Sequence, residues 1–212
     1  MVADHSKKHL YVVDKTTIWR VDFLEKPVTS LYRKHGLQSP VTLSLNEKAH
    51  RLVVSDESNT LRMYDLVLNT SISVELDSRF ALARHALITN RSGPTYVVCC
   101  QYDDMRTVVE VDTEGKVLQS FHKGKVLITR DISDAYYAAL DESNDHVFVI
   151  DRGNDRVLLL KPDLQLHSVL LRNRNGTKDV SRLCYDRVHN QLIVGTLDGT
   201  VNCYKLSLLR QV

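Results

Sequence analysis

The sequence predicts an all-β fold of the β-propeller class, and three observations predict it. Short apolar runs bounded by Asp, Asn, Gly and Ser recur along the whole chain, the pattern of strands joined by tight turns. A strand–turn–strand unit repeats, its second strand ending at Asp14, Asp56, Gln101, Asp151 and Thr196, at intervals of 42, 45, 50 and 45 residues. A period in the forties with several short strands per unit marks a propeller blade. The apolar positions also alternate or run solid rather than recurring every three or four residues, which excludes a helical repeat. A β-sandwich has no reason to repeat one strand–turn–strand sequence at a fixed interval.

The units, taken in order, are read as one domain over residues 1–212. The first (residues 9–35) has strands at His9–Asp14, Ile18–Phe23 and Val28–Tyr32, and its innermost strand is expected to be missing. The second (40–78) has Val41–Leu45, Arg51–Asp56 and Thr60–Leu66. The third (82–122) is looser, with Ala86–Thr89, Thr95–Gln101 and Thr107–Asp112. The fourth (135–171) is the clearest: Tyr136–Leu140, then Val147–Ile150 and Val157–Leu160 around the hexapeptide Asp151–Arg156. There Gly153 and Asn154 are expected to take positive φ, and Asp151 to accept hydrogen bonds from turn amides. The fifth (180–212) has Leu183–Tyr185, Gln191–Thr196 and Thr200–Leu206, with Ser207–Val212 left for a short outermost strand. Five units with an incomplete first one imply an open ring, or part of a longer propeller.

Composition sets the outer bounds. An apolar content of 43% with 8 Gly and 4 Pro supports an ordered core. A net charge of +2 gives no mandate for nucleic acid or membrane binding. No apolar run approaches the roughly 18 residues of a membrane span. The first residues contain no apolar signal-peptide core, so a cytoplasmic location is expected. Cys99, Cys100, Cys184 and Cys203 show no C-x-x-C or Cys/His spacing and are expected to be reduced thiols. No metal or cofactor is expected. Asn69, Asn90 and Asn175 head N-x-S/T triplets, which are read as chance matches.

The fourth unit, LDESNDHVFVIDRGNDRVLLLKPDLQ, resembles the NHL repeat at Leu140, Asp141, Val147, Val149, Asp151, Gly153, Asn154, Arg156, Val157 and Leu159. The second unit matches in part, at Val54, Asp56, Asn59 and Leu61. The resemblance implies a six-bladed propeller, of which this chain would be part, used as a binding platform, as at the C-terminus of tripartite-motif proteins, whose RING, B-box and coiled-coil segments make them ubiquitin ligases. It further implies a protein-docking role in ubiquitin-dependent turnover, with RNA binding as the alternative because some such propellers take RNA. The turn residues Asp56, Asn59, Asp151, Gly153, Asn154 and Arg156 are read as structural. Any ligase activity would need a RING domain that this chain lacks, and no DNA or membrane partner is expected.

Candidate contacts lie in the loops between blades. Arg84, Lys123, Lys125, Arg130, Arg172, Arg174 and Lys178 could track phosphates, with Tyr136 available to stack on a base. Hairpin loops reaching the same rim hold Asp14, Asp56, Glu57, Asp103, Asp104, Asp151, Asp155 and Asp198, so the rim is mixed in sign. That favours a protein partner over RNA. The acidic turns at Asp103-Asp104 and Asp141-Glu142 lack the ordered spacing of calcium loops. A propeller hydrolase or lactonase, the third reading, would gather carboxylates and histidines at the inner-strand starts, and none gather there. His85 and Ser181 suggest a base and a nucleophile, but no third group orients the histidine. The chain is therefore expected not to be an enzyme. The adjacent pairs Tyr136/Tyr137 and Cys99/Cys100 are expected to split across the two sheet faces and pack in the core.

Overall fold

The computed structural model describes residues 2–4, 7–14, 17–23, 42–56, 58–89, 93–103, 105–121, 132–172 and 179–206, and the backbone of 28–33. They form five antiparallel sheets whose strands pair in chain order, each a blade of a β-propeller. The first blade holds β1 (Val2–Asp4), β2 (His9–Val13), β3 (Thr17–Asp22) and β4 (Val28–Arg33). Its innermost strand, expected to be missing, is thus present. At three residues, β1 is too short to register as an apolar run, yet Val2, Ala3 and Asp4 pair in full with Tyr11, Leu10 and His9.

The second blade comprises β5 (Thr42–Asn46), β6 (Arg51–Ser55), β7 (Thr60–Asp65) and β8 (Thr70–Glu75). The third has β9 (Phe80–Thr89), β10 (Thr95–Tyr102), β11 (Met105–Val111) and β12 (Val117–Ser120). The fourth has β13 (Ala135–Asp141), β14 (His146–Asp151), β15 (Arg156–Leu160) and β16 (Leu166–Arg172), with a single 3-10 turn at Arg152–Asn154. The fifth shows β17 (Val180–Asp186), β18 (Gln191–Thr196) and β19 (Val201–Lys205) among the described residues. The outermost strand expected at Ser207–Val212 lies outside them.

The chain divides into two compact units, Met1–Met105 with Glu110–Leu118, and Arg106–Val109 with Gln119–Val212. Within the first, Tyr11 and Ile18 of the first blade join Leu43, Leu52, Val54 and Tyr64 of the second in one buried cluster. Within the second, Phe148, Ile150, Val157 and Leu159 pack with Leu183, Leu192 and Val194. β6 and β15 are apolar on both faces because each blade face is covered, so their residues run solid instead of alternating.

A turn of one design closes β1–β2, β5–β6, β13–β14 and β17–β18. Asp4, Asn46, Asp141 and Asp186 end the inner strands, and their side chains accept from the amides of Lys7, Ala49, Ser143 and Val188 at 2.9–3.0 Å. Four residues on, Lys8, His50, Asp145 and Asn190 take φ of 50–58°, the left-handed step that aims the chain back along the sheet. The third blade departs from this plan. Its inner strand ends at Thr89, whose hydroxyl, with that of Thr95, turns to the buried carboxylate of Glu110.

Three inner strands also carry a β-bulge near their starts. The register steps past Arg84 in β9, Tyr136 in β13 and Ser181 in β17, so each of these residues falls outside the one-to-one pairing of the ladder.

Candidate functional site: an arginine–tyrosine cluster

The hairpin from β14 to β15 builds the best-defined polar constellation of the second unit. Asp151 is fully buried and accepts four hydrogen bonds. Its Oδ1 takes the amides of Ser133 at 2.9 Å and Asp134 at 3.0 Å, while Oδ2 takes Asn154 Nδ2 at 2.8 Å and Arg156 Nε at 2.7 Å. Those two amides belong to the segment entering the blade, not to the turn where the sequence pattern places the donors. Asp151 therefore ties the hairpin to the entry segment. Arg152 N completes the tie by donating to Asp134 O at 2.9 Å.

The expectation of positive φ at Gly153 and Asn154 needs correcting. The left-handed residue is Asp155, at φ 45°. Gly153 is there for room: a Cβ on it would lie 2.4 Å from Ser133 Oγ and 2.7 Å from Ser133 Cβ. The glycine lets the hairpin press onto the entry segment, and that contact brings the functional groups together.

The carboxylate of Asp134, 5% exposed, takes Arg106 Nη1 at 3.2 Å and Arg152 Nε at 3.5 Å, although both arginines are about half in solvent. Arg152 lies 4.7 Å above the Tyr136 ring. Arg182 approaches the same ring at 6.0 Å and Tyr137 at 5.2 Å, and it donates from Nη1 to Ser181 O at 2.7 Å. The expectation that Tyr136 and Tyr137 split across the sheet fails for a definite reason. The bulge at Tyr136 breaks the alternation, so both half-buried rings come within reach of one guanidinium. Two arginines thus converge on one buried carboxylate, and a third, Arg182, lies against the tyrosines beside it. Guanidinium groups that stack on aromatic faces offer forked donors to carboxylates and phosphates.

Of the candidate contacts read from the sequence, only Tyr136 belongs to this cluster. Arg172 is exposed at the end of β16, and Arg84, half-buried, belongs to the first unit, where its carbonyl accepts from Thr42 Oγ1 and Ser55 Oγ. Lys123, Lys125, Arg130, Arg174 and Lys178 lie outside the described residues. The pattern of the chain missed Arg106, Arg182 and Asp134, because they meet only through hairpin and bulge geometry. The available signal is the hexapeptide Asp151–Arg156, which carries Arg152 at its second position. Ser181 Oγ donates to Gly195 O at 3.2 Å, and His85 is buried at 1% exposure. Among the described residues no three His, Cys, Asp or Glu side chains converge as a metal would require.

No family model matches the chain, and no curated protein does. Solved structures do. Virginiamycin B lyase from Staphylococcus aureus superposes with a TM-score of 0.62 at 11% identity, over 98% of this chain and 69% of its own. A chain of the nidogen/laminin complex superposes with a TM-score of 0.66 at 14% identity, over 96% of this chain and 78% of its own. These likenesses establish the propeller fold and do not single out the tripartite-motif branch. They also correct the expectation that the chain is not an enzyme. A lyase shares the fold over nearly the whole chain, so propeller architecture with no recognisable triad is no ground for excluding catalysis.

Proposed function

We propose that the chain is a protein-recognition propeller whose contact surface includes Arg106, Tyr136, Arg152 and Arg182, and that it takes an acidic segment of its partner. The observation that carries this reading is the approach of two guanidinium groups to Tyr136, one of them, Arg152, also held by the buried carboxylate of Asp134. Arginine and tyrosine dominate the energetics of protein interfaces. Asp134, itself fixed by its amide's bond to Asp151, holds Arg106 and Arg152 in advance, so less freedom is lost on binding. That a complex between two proteins stands among the fold neighbours is consistent with this use.

Neither comparison supports the finer reading, substrate docking for a tripartite-motif ubiquitin ligase. The RNA alternative rested on seven basic residues, five of which lie outside the described residues. In the fifth blade, Asp179 and Asp198 occupy the loops beside β17 and β18, so the described rim does not form a continuous basic track. The test is fluorescence anisotropy of the full chain with a Glu- and Tyr-rich peptide and with a single-stranded RNA of equal charge. The peptide is expected to bind, and R152E and R182E each to weaken it by about tenfold or more. Failure of the peptide to bind, an unchanged affinity in R152E, or tighter RNA binding with a steep salt dependence would overturn the proposal.

A further inference from the structure

The outer edge of the second blade differs from the other outer edges in backbone pairing and in charge. Each blade of a propeller ends in a strand with a neighbour on one side only. Unpaired amides and carbonyls along such an edge are a template for another strand, and proteins blunt it with short strands, bulges or charges. β4 bulges at Leu31, and β16 bulges at His167 and at Leu170. β12 is only four residues long. β8 has none of these devices. Its ladder with β7 runs unbroken from Thr70 to Glu75, and its one charged residue is the terminal Glu75.

The free part of this edge is Thr70–Val74. Glu75 is flanked by the turn from β11 to β12, where a Cβ on Gly115 would collide with the Glu75 carbonyl oxygen. Among the described residues β7 is the one strand that pairs with Thr70–Val74. The same hairpin carries exposed aliphatic surface, with Val67, Leu68 and Ile72 at 64, 70 and 55% exposure. Its tip is fixed. Asp65 Oδ1 accepts from the amides of Val67 and Leu68 at 3.0 and 2.9 Å, and Asn69 takes φ 54°. A regular, uncharged and preformed edge thus coincides with exposed aliphatic side chains.

Only another extended chain can satisfy the ladder groups of such an edge, and its lack of charge calls for an uncharged, β-branched occupant. Thr70-Ser71-Ile72-Ser73-Val74 is itself a segment of that kind. Laid antiparallel about a two-fold axis at Ile72, it sets Ile72 opposite Ile72 of a second copy, Ser71 opposite Ser73 and Thr70 opposite Val74. No charge is opposed to a like charge. Each copy covers the other's edge, so the assembly closes at two and leaves no template for further growth. We infer that the chain forms a two-fold dimer through β8, joining the second blades of two copies into one continuous sheet. This edge belongs to a different unit from the arginine–tyrosine cluster and does not rest on the protein-recognition reading.

The experiment is analytical ultracentrifugation of the full chain from about 1 to 300 μM, where a monomer–dimer equilibrium with a micromolar dissociation constant is expected. I72K, at an exposed position, enters the contact twice and sets two cations face to face. It is expected to weaken the dimer at least about tenfold, with the thermal midpoint of the fold unchanged. V188K, which replaces an exposed aliphatic residue on another blade, should leave the dimer as it is. A second measurement reads the register. Opposed residues of an antiparallel ladder have Cα atoms about 4.5–5.5 Å apart, within disulfide reach. I72C in a C184S/C203S background is therefore expected to cross-link two copies in a glutathione redox buffer, and V188C in that background is not. A chain that stays monomeric over the whole range, a dimer unmoved by I72K, or I72C that cross-links no faster than V188C would overturn the assignment.

Discussion

The hairpins of the second and fourth blades start from the same sequence idea and end in different physics. Each has an aspartate at the end of the second strand and an arginine six or five residues on, Asp56 with Arg62 and Asp151 with Arg156. In the fourth blade the arginine closes on the carboxylate at 2.7 Å, and two amides from the entry segment join it. In the second the arginine stands off at 4.0 Å, and Asp56 spends Oδ1 on the amide and hydroxyl of Ser58 inside its own turn. One aspartate bonds across the blade; the other caps a loop. Only the first can fix the position of neighbouring side chains, which is why the arginine–tyrosine cluster sits beside it.

The comparison can be broken most directly at the two aspartates. D151A would strand Arg156, 8% exposed, without its counter-ion, and is expected to cost about 3–5 kcal/mol in urea denaturation. D56A, which loses a local cap, is expected to cost about 1 kcal/mol. Equal losses would refute the distinction. Next in size is G153A, expected to cost about 1–3 kcal/mol through contact with Ser133. A double-mutant cycle with S133G should recover most of that loss if the close approach is its cause. Smaller again is the acid response of exposed caps. The Asp186 carboxyl is held down to about 2, first by the His189 side chain and then by the His189 amide, and Asp77 is held to about 2 by Arg79. Their folded values lie below the unfolded one, so their contribution is complete above about pH 4 and lost as pH falls towards 2. Thermal midpoints measured across that window should fall less steeply for D186N than for the parent protein. The smallest effect is expected at His50, which adopts φ 51° and whose buried Nδ1 finds no hydrogen-bond partner among the described residues. H50N is expected to raise stability by up to about 1 kcal/mol, because asparagine tolerates the left-handed region better.

The blade repeat was legible because strands buried on both faces must be short, apolar and bounded by turns, and that leaves a mark at each of β6, β10, β14 and β18. The three-residue β1 left no such mark, since its pairing rests on backbone groups that any residue supplies. The inner turns, with Asp4, Asn46, Asp141 and Asp186 each followed four residues later by a left-handed residue, were visible in principle. Their second positions, Lys8, His50, Asp145 and Asn190, share no chemistry, and that hid the pattern. The candidate site was least legible. Arg106, Asp134, Tyr136, Arg152 and Arg182 come from three blades and from the segment entering one of them, and only the entry segment's bonds to Asp151 and a broken strand alternation bring them together.

The bulged residue near the start of an inner strand has a consequence for how such a surface changes over evolution. Arg84, Tyr136 and Ser181 hold this place in three successive blades, and they could hardly differ more in size and charge. A residue outside the ladder's register is not matched to one opposite residue, so the backbone pairing of the sheet does not depend on its side chain. Each of these three blades therefore carries one interchangeable socket on its inner strand. A propeller built this way can exchange one partner for another by altering a few such positions while the scaffold stays as it is.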